Sequence, residues 1–341
     1  MNKKNISICI LLVFSSLLFS CHQKKRFEID AKVLKKTENS FHILRFDSAI
    51  ICLDTNNMTA GLHNVAAKYA AIYEHYIDNL LEISAQDTSL TAEIMLDLLN
   101  DTTYSKINAA VMKTFADVAP IERKMASVYT YFKTYFPEIQ LPQIFFFVSG
   151  CNRSVIMFPG YIGIGTDWYL GDEFYDFYSK LTYTYLAQNM KPEGIPVDIT
   201  LNLLKGAFPM QSNQNRLIDN ILYQGKLLYL VSVMLPNEQT ENIAGYTAAQ
   251  LAWCEQYERA MWAAIIEQKH LFSTDYRIIR DYTLDAPFTQ PISQESPGRA
   301  GNWLGWQIVK SYMENNQNVT LQMLAAENDF GKMLEKSKYK P

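Results

Sequence analysis

Histidine is scarce in this chain, and its spacing excludes the commonest zinc-hydrolase helix. The five histidines stand at positions 22, 42, 63, 75 and 270, and no two of them are four residues apart. The HExxH motif needs that spacing to place two ligands on one face of a helix beside a general base. We therefore predict no metal site and no cofactor.

Cysteine is also rare, and no two cysteines form a CxxC pair. A thiol redox pair and a cysteine zinc site are therefore excluded. Cys9 and Cys21 belong to the N-terminal segment described below. The other three, Cys52, Cys151 and Cys254, allow at most one disulfide and are best interpreted as small buried hydrophobic residues.

Nucleophile and phosphate motifs are missing as well. Ser149 and Ser296 stand beside sharp turns, but neither lies in a GxSxG elbow. Residues 160–165 have the spacing GxxGxG instead of the dinucleotide-binding GxGxxG, which indicates tight turns at strand ends. With 35 acidic against 31 basic residues, the chain offers no general affinity for nucleic acid. We predict no catalytic residue and no nucleic-acid partner.

The N-terminus has the pattern of a bacterial lipoprotein signal. Lys3 and Lys4 precede an apolar run over residues 6–19, which suits a secretory signal and is too short to span a bilayer. The run ends in Leu18-Phe-Ser-Cys21, where a lipoprotein signal has leucine, two small residues and the acylated cysteine. Phe19 is larger than usual there. We predict cleavage before Cys21 and lipid on its thiol, which would hold the chain on a membrane.

A polar, lysine-rich stretch follows over residues 22–40, and it is predicted to be a tether between the lipid and the folded part. No aspartate stands beside Cys21, which favours sorting to the outer membrane. No acidic run follows, which favours its periplasmic face. The expected location is therefore the cell envelope, on the periplasmic face of the outer membrane.

The remaining chain, residues 41–341, predicts one mostly α-helical α+β domain with one small β-sheet. Apolar residues recur every three or four positions over 59–136, which predicts a helical section after an extended start at residue 41. Short apolar runs around the Pro159-Gly160 turn predict strands within 143–165. Further helices are predicted at 174–190, 197–205, 214–231, 247–268, 301–315 and 320–337.

Two stretches could carry chemistry. Asp167, Asp172, Glu173 and Asp176 cluster among aromatic residues, as in a sugar-binding or glycosidase site, although acids at a helix start also match its dipole. Arg299 stands at the start of a predicted helix, where an anionic partner would bind. A buried ion pair is the alternative for that arginine.

Several runs together resemble the gliding-motility lipoprotein family GldB of Bacteroidetes. The resemblance covers about residues 41–341. No single run is decisive, but the order and spacing of the runs together make the resemblance specific. The family implies an envelope lipoprotein, although its members also occur in bacteria that do not glide. The runs are Arg45-Phe-Asp, Gly163-Ile-Gly-Thr-Asp-Trp-Tyr-Leu-Gly, Tyr223-Gln-Gly-Lys, Ala286-Pro-Phe, Ser296-Pro-Gly-Arg, Gly305-Trp-Gln-Ile-Val and Ser337-Lys-Tyr-Lys-Pro.

That family is in turn similar to a group of zinc peptidases, which implies a zincin-like (gluzincin-related) architecture. The zinc ligands are not present here. The predicted helix 174–190, where the resemblance places HExxH, contains neither His nor Glu, and Gln224 stands where the carboxylate ligand would be. A zinc hydrolase needs three ligands and a general base, so the resemblance implies a relative that kept the frame and lost the metal site.

The sequence therefore predicts a non-catalytic envelope lipoprotein that supports gliding or secretion-related machinery through protein contacts. The expected working surface is the cleft between strands 143–165, helix 174–190 and the segment after Gln224, with replacements there expected to impair function without unfolding. Two alternatives stay open: a peptidase or glycosidase with an acidic site, and a glycan- or ligand-binding lipoprotein. The candidate contact residues are Asp167, Tyr178, Gln224, Lys226 and Arg299.

Overall fold

A computed structural model describes residues 26–38, 40–212 and 214–341 of the chain. The predicted signal segment and the acylation site at Cys21 lie outside the described residues. Within the described ranges, no helix combines the length and the apolar character needed to cross a bilayer.

One four-stranded sheet lies in the first half of the fold. Its strands are β1 (Leu44–Arg45), β2 (Gln143–Phe147), β3 (Val155–Phe158) and β4 (Tyr161–Gly165). They are arranged in the order β1-β2-β4-β3. β2 pairs in parallel with both β1 and β4, and β3 pairs antiparallel with β4. The sheet predicted within 143–165 is confirmed, and so is the extended start of the folded part.

The central strand β2 is buried on both faces. Ile144 and Phe146 belong to the larger hydrophobic cluster, whereas Phe145 and Phe147 belong to a second cluster on the opposite face. Successive side chains of a strand point to opposite faces, so an uninterrupted apolar run is what a strand between two packed layers requires. The two clusters share this strand.

Among the described residues, six α-helices precede β2 in the chain, one of them before β1 and five after it. The predicted helical section 59–136 is confirmed, and Asp87 and Asp101 cap two of its helices by accepting hydrogen bonds from backbone N–H groups. A π-helical turn, Tyr76–Leu80, extends the third helix. The helices are α1 (Ala31–Glu38), α2 (Phe46–Ile51), α3 (Met58–His75), α4 (Thr88–Asn100), α5 (Thr102–Thr114) and α6 (Ala119–Tyr135).

Ten helices follow β4, which makes the chain mostly helical, as predicted. The single helix predicted at 174–190 is wrong: the backbone is extended at Thr182, and two short helices replace it. The helix predicted at 320–337 is likewise divided in two. The helices are α7 (Tyr175–Leu181), α8 (Thr184–Ala187), α9 (Ile195–Ala207), α10 (Leu217–Met234), α11 (Thr240–Ala244), α12 (Ala248–Glu267), α13 (Tyr276–Thr283), α14 (Ala300–Asn315), α15 (Leu321–Ala326) and α16 (Phe330–Ser337).

Helices α10 and α14 cross at two glycines and form the centre of the larger cluster. A Cβ on Gly225 would fall on the backbone of Gly305 and Trp306, and a Cβ on Gly305 would fall on the carbonyl of Ile221. The face of α14 that carries Gly305 therefore meets α10 at backbone distance. Since only hydrogen fits at this crossing, the two helices lie in backbone contact.

The tether predicted over residues 22–40 is too long. Arg26 donates hydrogen bonds to the carbonyl of Met313, in the last turn of α14, and to those of Asn316, Gln317 and Val319, which follow the helix. Ile29 is 8% exposed within the larger cluster. Four carbonyl acceptors at the end of a helix satisfy a guanidinium well, so this arginine fixes the chain to the body. The folded part therefore starts at or before residue 26.

Candidate functional site

Asp167, predicted as a contact residue, is fully buried and holds a loop. Its carboxylate accepts hydrogen bonds from the backbone N–H and hydroxyl of Ser149 and from the backbone N–H of Cys151. Burial raises the pKa of this carboxyl, and these hydrogen bonds oppose the rise. The carboxylate thus fixes the turn after β2, where Gly150 and Cys151 both have positive φ. The expectation that Asp167 lies on a contact surface is wrong.

Tyr178 and Lys226 were also predicted to be contact residues, and this is wrong as well because both are 0% exposed. The hydroxyl of Tyr178 donates to the carbonyl of Asp167 and accepts from the backbone N–H of Leu170. The ammonium of Lys226 donates to the carbonyls of Ala325 and Glu327, both at 2.9 Å. Buried groups with this many partners stabilise the fold. Replacing Tyr178 or Lys226 would perturb the fold, so these replacements cannot test a contact with a partner.

The predicted acidic cluster does not converge on one site. Asp172 and Glu173 are exposed and form surface ion pairs with Lys191 at 2.9 Å and with Lys113 at 3.2 Å. Asp167 is buried beneath them. Exposed ion pairs contribute little to stability, and one buried carboxylate without a neighbouring acid gives no glycosidase geometry. The structure therefore does not support a sugar site at these residues.

A cleft of about 730 Å³ borders part of the predicted surface, at Asn152, Ser154, Thr182 and Gln224. It is bounded by the segment after β2, the residues around α8, the helix α9 and the start of α14. Gln224 and Arg299 line it, as predicted. Other lining residues offer amides, charges, rings and apolar side chains: Trp168, Tyr169, Gln188, Asn189, Asp198, Leu201, Lys205, Leu228, Asn242, Tyr246, Asp285 and Trp303.

Arg299 occupies a strained backbone position at the N-terminus of α14. It is the residue before the helix and has a φ of 58°, which is unusual for a residue with a side chain. Its Nε pairs with Asp285 at 2.9 Å, and its Nη2 donates to the carbonyl of Gly245 at 3.2 Å. The alternative of an ion pair is thus the arrangement found, although Asp285 remains 52% exposed by its side chain.

A second carboxylate in the cleft was not singled out from the sequence. Asp198, in the first turn of α9, accepts a hydrogen bond of 2.8 Å from the hydroxyl of Tyr169. Burial raises the pKa of this carboxyl, while Tyr169 and the nearby charge of Arg299 lower it. Its only signal in the sequence is a lone acid within the apolar run 195–201, which an acid at a helix start explains equally well.

The cleft contains no cluster suited to a metal ion. Among the described residues, no three His, Cys, Asp or Glu side chains lie close enough together to share one. The groups that line it are paired charges, amides and apolar side chains.

A family comparison agrees with the runs quoted from the sequence. The model of one family, described as gliding motility protein GldB, matches residues 27–341. No curated protein and no solved structure matches the chain. The matched region begins beside Arg26, where the described structure begins, and extends to the last residue. The chain therefore belongs to the family of the gliding motility protein GldB, whose members are lipoproteins.

Proposed function

We propose that this chain is a non-catalytic lipoprotein that supports gliding or secretion-related envelope machinery by binding an envelope protein in its cleft. Acylated Cys21 would hold it on the periplasmic face of the outer membrane. The observation that carries the proposal is the open cleft with Gln224 and Arg299 on its walls. It offers hydrogen-bonding groups and charge without a metal cluster among the described residues.

The composition of the cleft favours a protein segment over a glycan. Side-chain amides, which can both donate to and accept from a peptide backbone, line it at Gln188, Asn189 and Gln224. Glycan sites usually present open aromatic rings. Here Tyr169 is 4% exposed and Trp303 is 3% exposed, so neither ring presents an open face to a sugar, and of the tryptophans that line the cleft only Trp168 is partly exposed.

Filling the cleft should abolish partner binding without disturbing the fold. Gln224 is half-buried and lines the cleft, so Gln224→Trp would occupy the space of a partner side chain. The matched control is Gln322→Trp, at an exposed position on α15. Both proteins would be crosslinked in native membranes and their adducts identified by mass. We expect adducts present in the control to disappear with Gln224→Trp at normal protein level.

Unchanged adducts in the Gln224→Trp protein would contradict binding in the cleft. Loss of adducts in both proteins would point to a partner elsewhere on the surface. The circular dichroism spectrum and urea midpoint of each protein establish that the fold is intact.

A hydrolase is the second candidate, and Asp198 is the observation that favours it. Burial raises the pKa of the Asp198 carboxyl, and Asp285 lines the same cleft; two carboxyl groups in one cleft are the arrangement of a general acid and its partner. The purified protein would be incubated with peptide and glycan fragments. Turnover that is lost on Asp198→Asn would replace the non-catalytic proposal, and absence of turnover supports it.

A further inference from the structure

We propose that the face around Arg26 lies against the membrane and contacts anionic phospholipid headgroups. This inference rests on the proposed lipid anchor at Cys21. Arg26 is fixed by four carbonyls in the last turn of α14 and just beyond it. Only five residue steps separate it from Cys21, which span at most about 18 Å when fully extended. A body held so close to its anchor must present the surface around Arg26 to the bilayer.

The chain end lies on the same face. Asn316, whose carbonyl accepts from Arg26, donates its side-chain amide to the carbonyl of Lys336 at 3.0 Å. Asn315 and Ser311 donate to the carbonyl of Ser337. The end of α16 is thereby joined to the end of α14, directly beside the point where the tether leaves the body.

The last residues are also fixed beyond α16. The hydroxyl of Tyr339 donates to Glu258, and its ring meets Trp262 edge-on at 5.4 Å. The tail therefore has a defined path. Its exposed lysines, Lys332, Lys336, Lys338 and Lys340, keep a fixed place relative to Arg26.

The charge of this face is opposite to that of the chain as a whole. Residues 332–341 carry four lysines against one glutamate, and residues 26–38 add four basic against three acidic side chains, so the excess of positive charge comes mainly from the C-terminal segment. The whole chain has an excess of acids. A basic face at the anchoring point of an acidic protein is complementary to an anionic bilayer surface and keeps the acidic remainder away from it.

The orientation can be measured with the acylated mature protein in vesicles that contain phosphatidylglycerol and a headgroup spin label. A fluorescent probe would be placed at Lys336→Cys, in a Cys52→Ser background because Cys52 is the exposed free thiol. The matched control is Glu93→Cys, an exposed position on α4 in the other cluster layer. We expect several-fold stronger quenching at position 336. Equal quenching, or stronger quenching at position 93, in protein that floats with the vesicles would overturn the orientation.

A second measurement separates this inference from the anchor itself. If the protein does not float with vesicles, acylation at Cys21 fails and the basic face is tested alone with the mature Cys21→Ser chain. Its partition into phosphatidylglycerol vesicles should fall about fivefold for each of Lys336 and Lys340 replaced by alanine. Replacing Lys106 and Lys180, which are exposed elsewhere, should leave partition unchanged. Absence of partition, or equal losses in both pairs, would overturn the basic face.

Discussion

Gly225→Ala is expected to unfold the protein or to lower its free energy of unfolding by at least about 3 kcal/mol. The added methyl would fall on the backbone of Gly305 and Trp306. Backbone atoms cannot rotate away as a flexible side chain can, so α10 and α14 would have to separate. Their separation would open the centre of the larger cluster, where Ile221, Leu222 and Leu304 are fully buried. Urea denaturation followed by circular dichroism measures the loss.

The matched control is Gly206→Ala in α9. A Cβ at Gly206 would meet no atom within 4 Å, and alanine is favoured over glycine within a helix by about 1 kcal/mol. This variant should be as stable as the original protein or slightly more stable. If Gly225→Ala behaved like Gly206→Ala, the close crossing of α10 and α14 would be incorrect.

The helical sections and the sheet could be predicted because each of them carries a repeating apolar pattern. This apolar pattern does not predict where short helices begin and end. In 174–190 the aromatic spacing resembles one helix, but an extended Thr182 divides it, and no glycine or proline signals the break. The prediction of a tether over residues 22–40 was wrong for another reason. The composition of this segment is that of a tether, and the carbonyls that fix Arg26 lie almost 300 residues away in sequence, so local pattern carries no information about them.

The family resemblance points to a cleft beside residues 143–165 and Gln224, and the observed cleft borders both, but most of its lining residues could not be predicted. Asp167, Tyr178 and Lys226 belong to segments that border the predicted cleft, but the sequence does not show that their side chains are buried. Burial depends on the neighbouring layers, which a single sequence does not show. Asp198 and Asp285 come from distant segments, 87 positions apart, and only the tertiary structure brings both into one cleft.

Lys226 should make the free energy of unfolding of this protein increase as the pH rises. Burial lowers the pKa of its ammonium from 10.5 to about 8, and the charge of Glu327 opposes that shift. Between about pH 8 and pH 10.5 the unfolded chain binds a proton at this residue that the folded chain does not. Stability contributed by this group is therefore complete above pH 10.5 and is lost as the pH falls through about 8.

Lys226→Met tests this because methionine keeps most of the aliphatic stem and removes the titrating group. At pH 7 the variant should be less stable by about 2 kcal/mol, since the carbonyls of Ala325 and Glu327 lose their donor. The original protein should then gain about 2 kcal/mol over the variant between pH 7 and pH 10. The buried tyrosines are the same in both proteins, so their titration cancels in the difference.

The measurement is urea denaturation of both proteins at half-unit steps of pH, with Lys106→Met as the control at an exposed position. The control should differ from the original protein by a constant at every pH. A constant difference for Lys226→Met as well would mean that the ammonium keeps an ordinary pKa in the fold. Its two carbonyl partners and the Tyr223 and Phe330 rings beside it would then compensate its burial fully. If the difference in free energy of unfolding between the two proteins grows with pH, burial of the Lys226 ammonium is unfavourable and its two hydrogen bonds offset this cost.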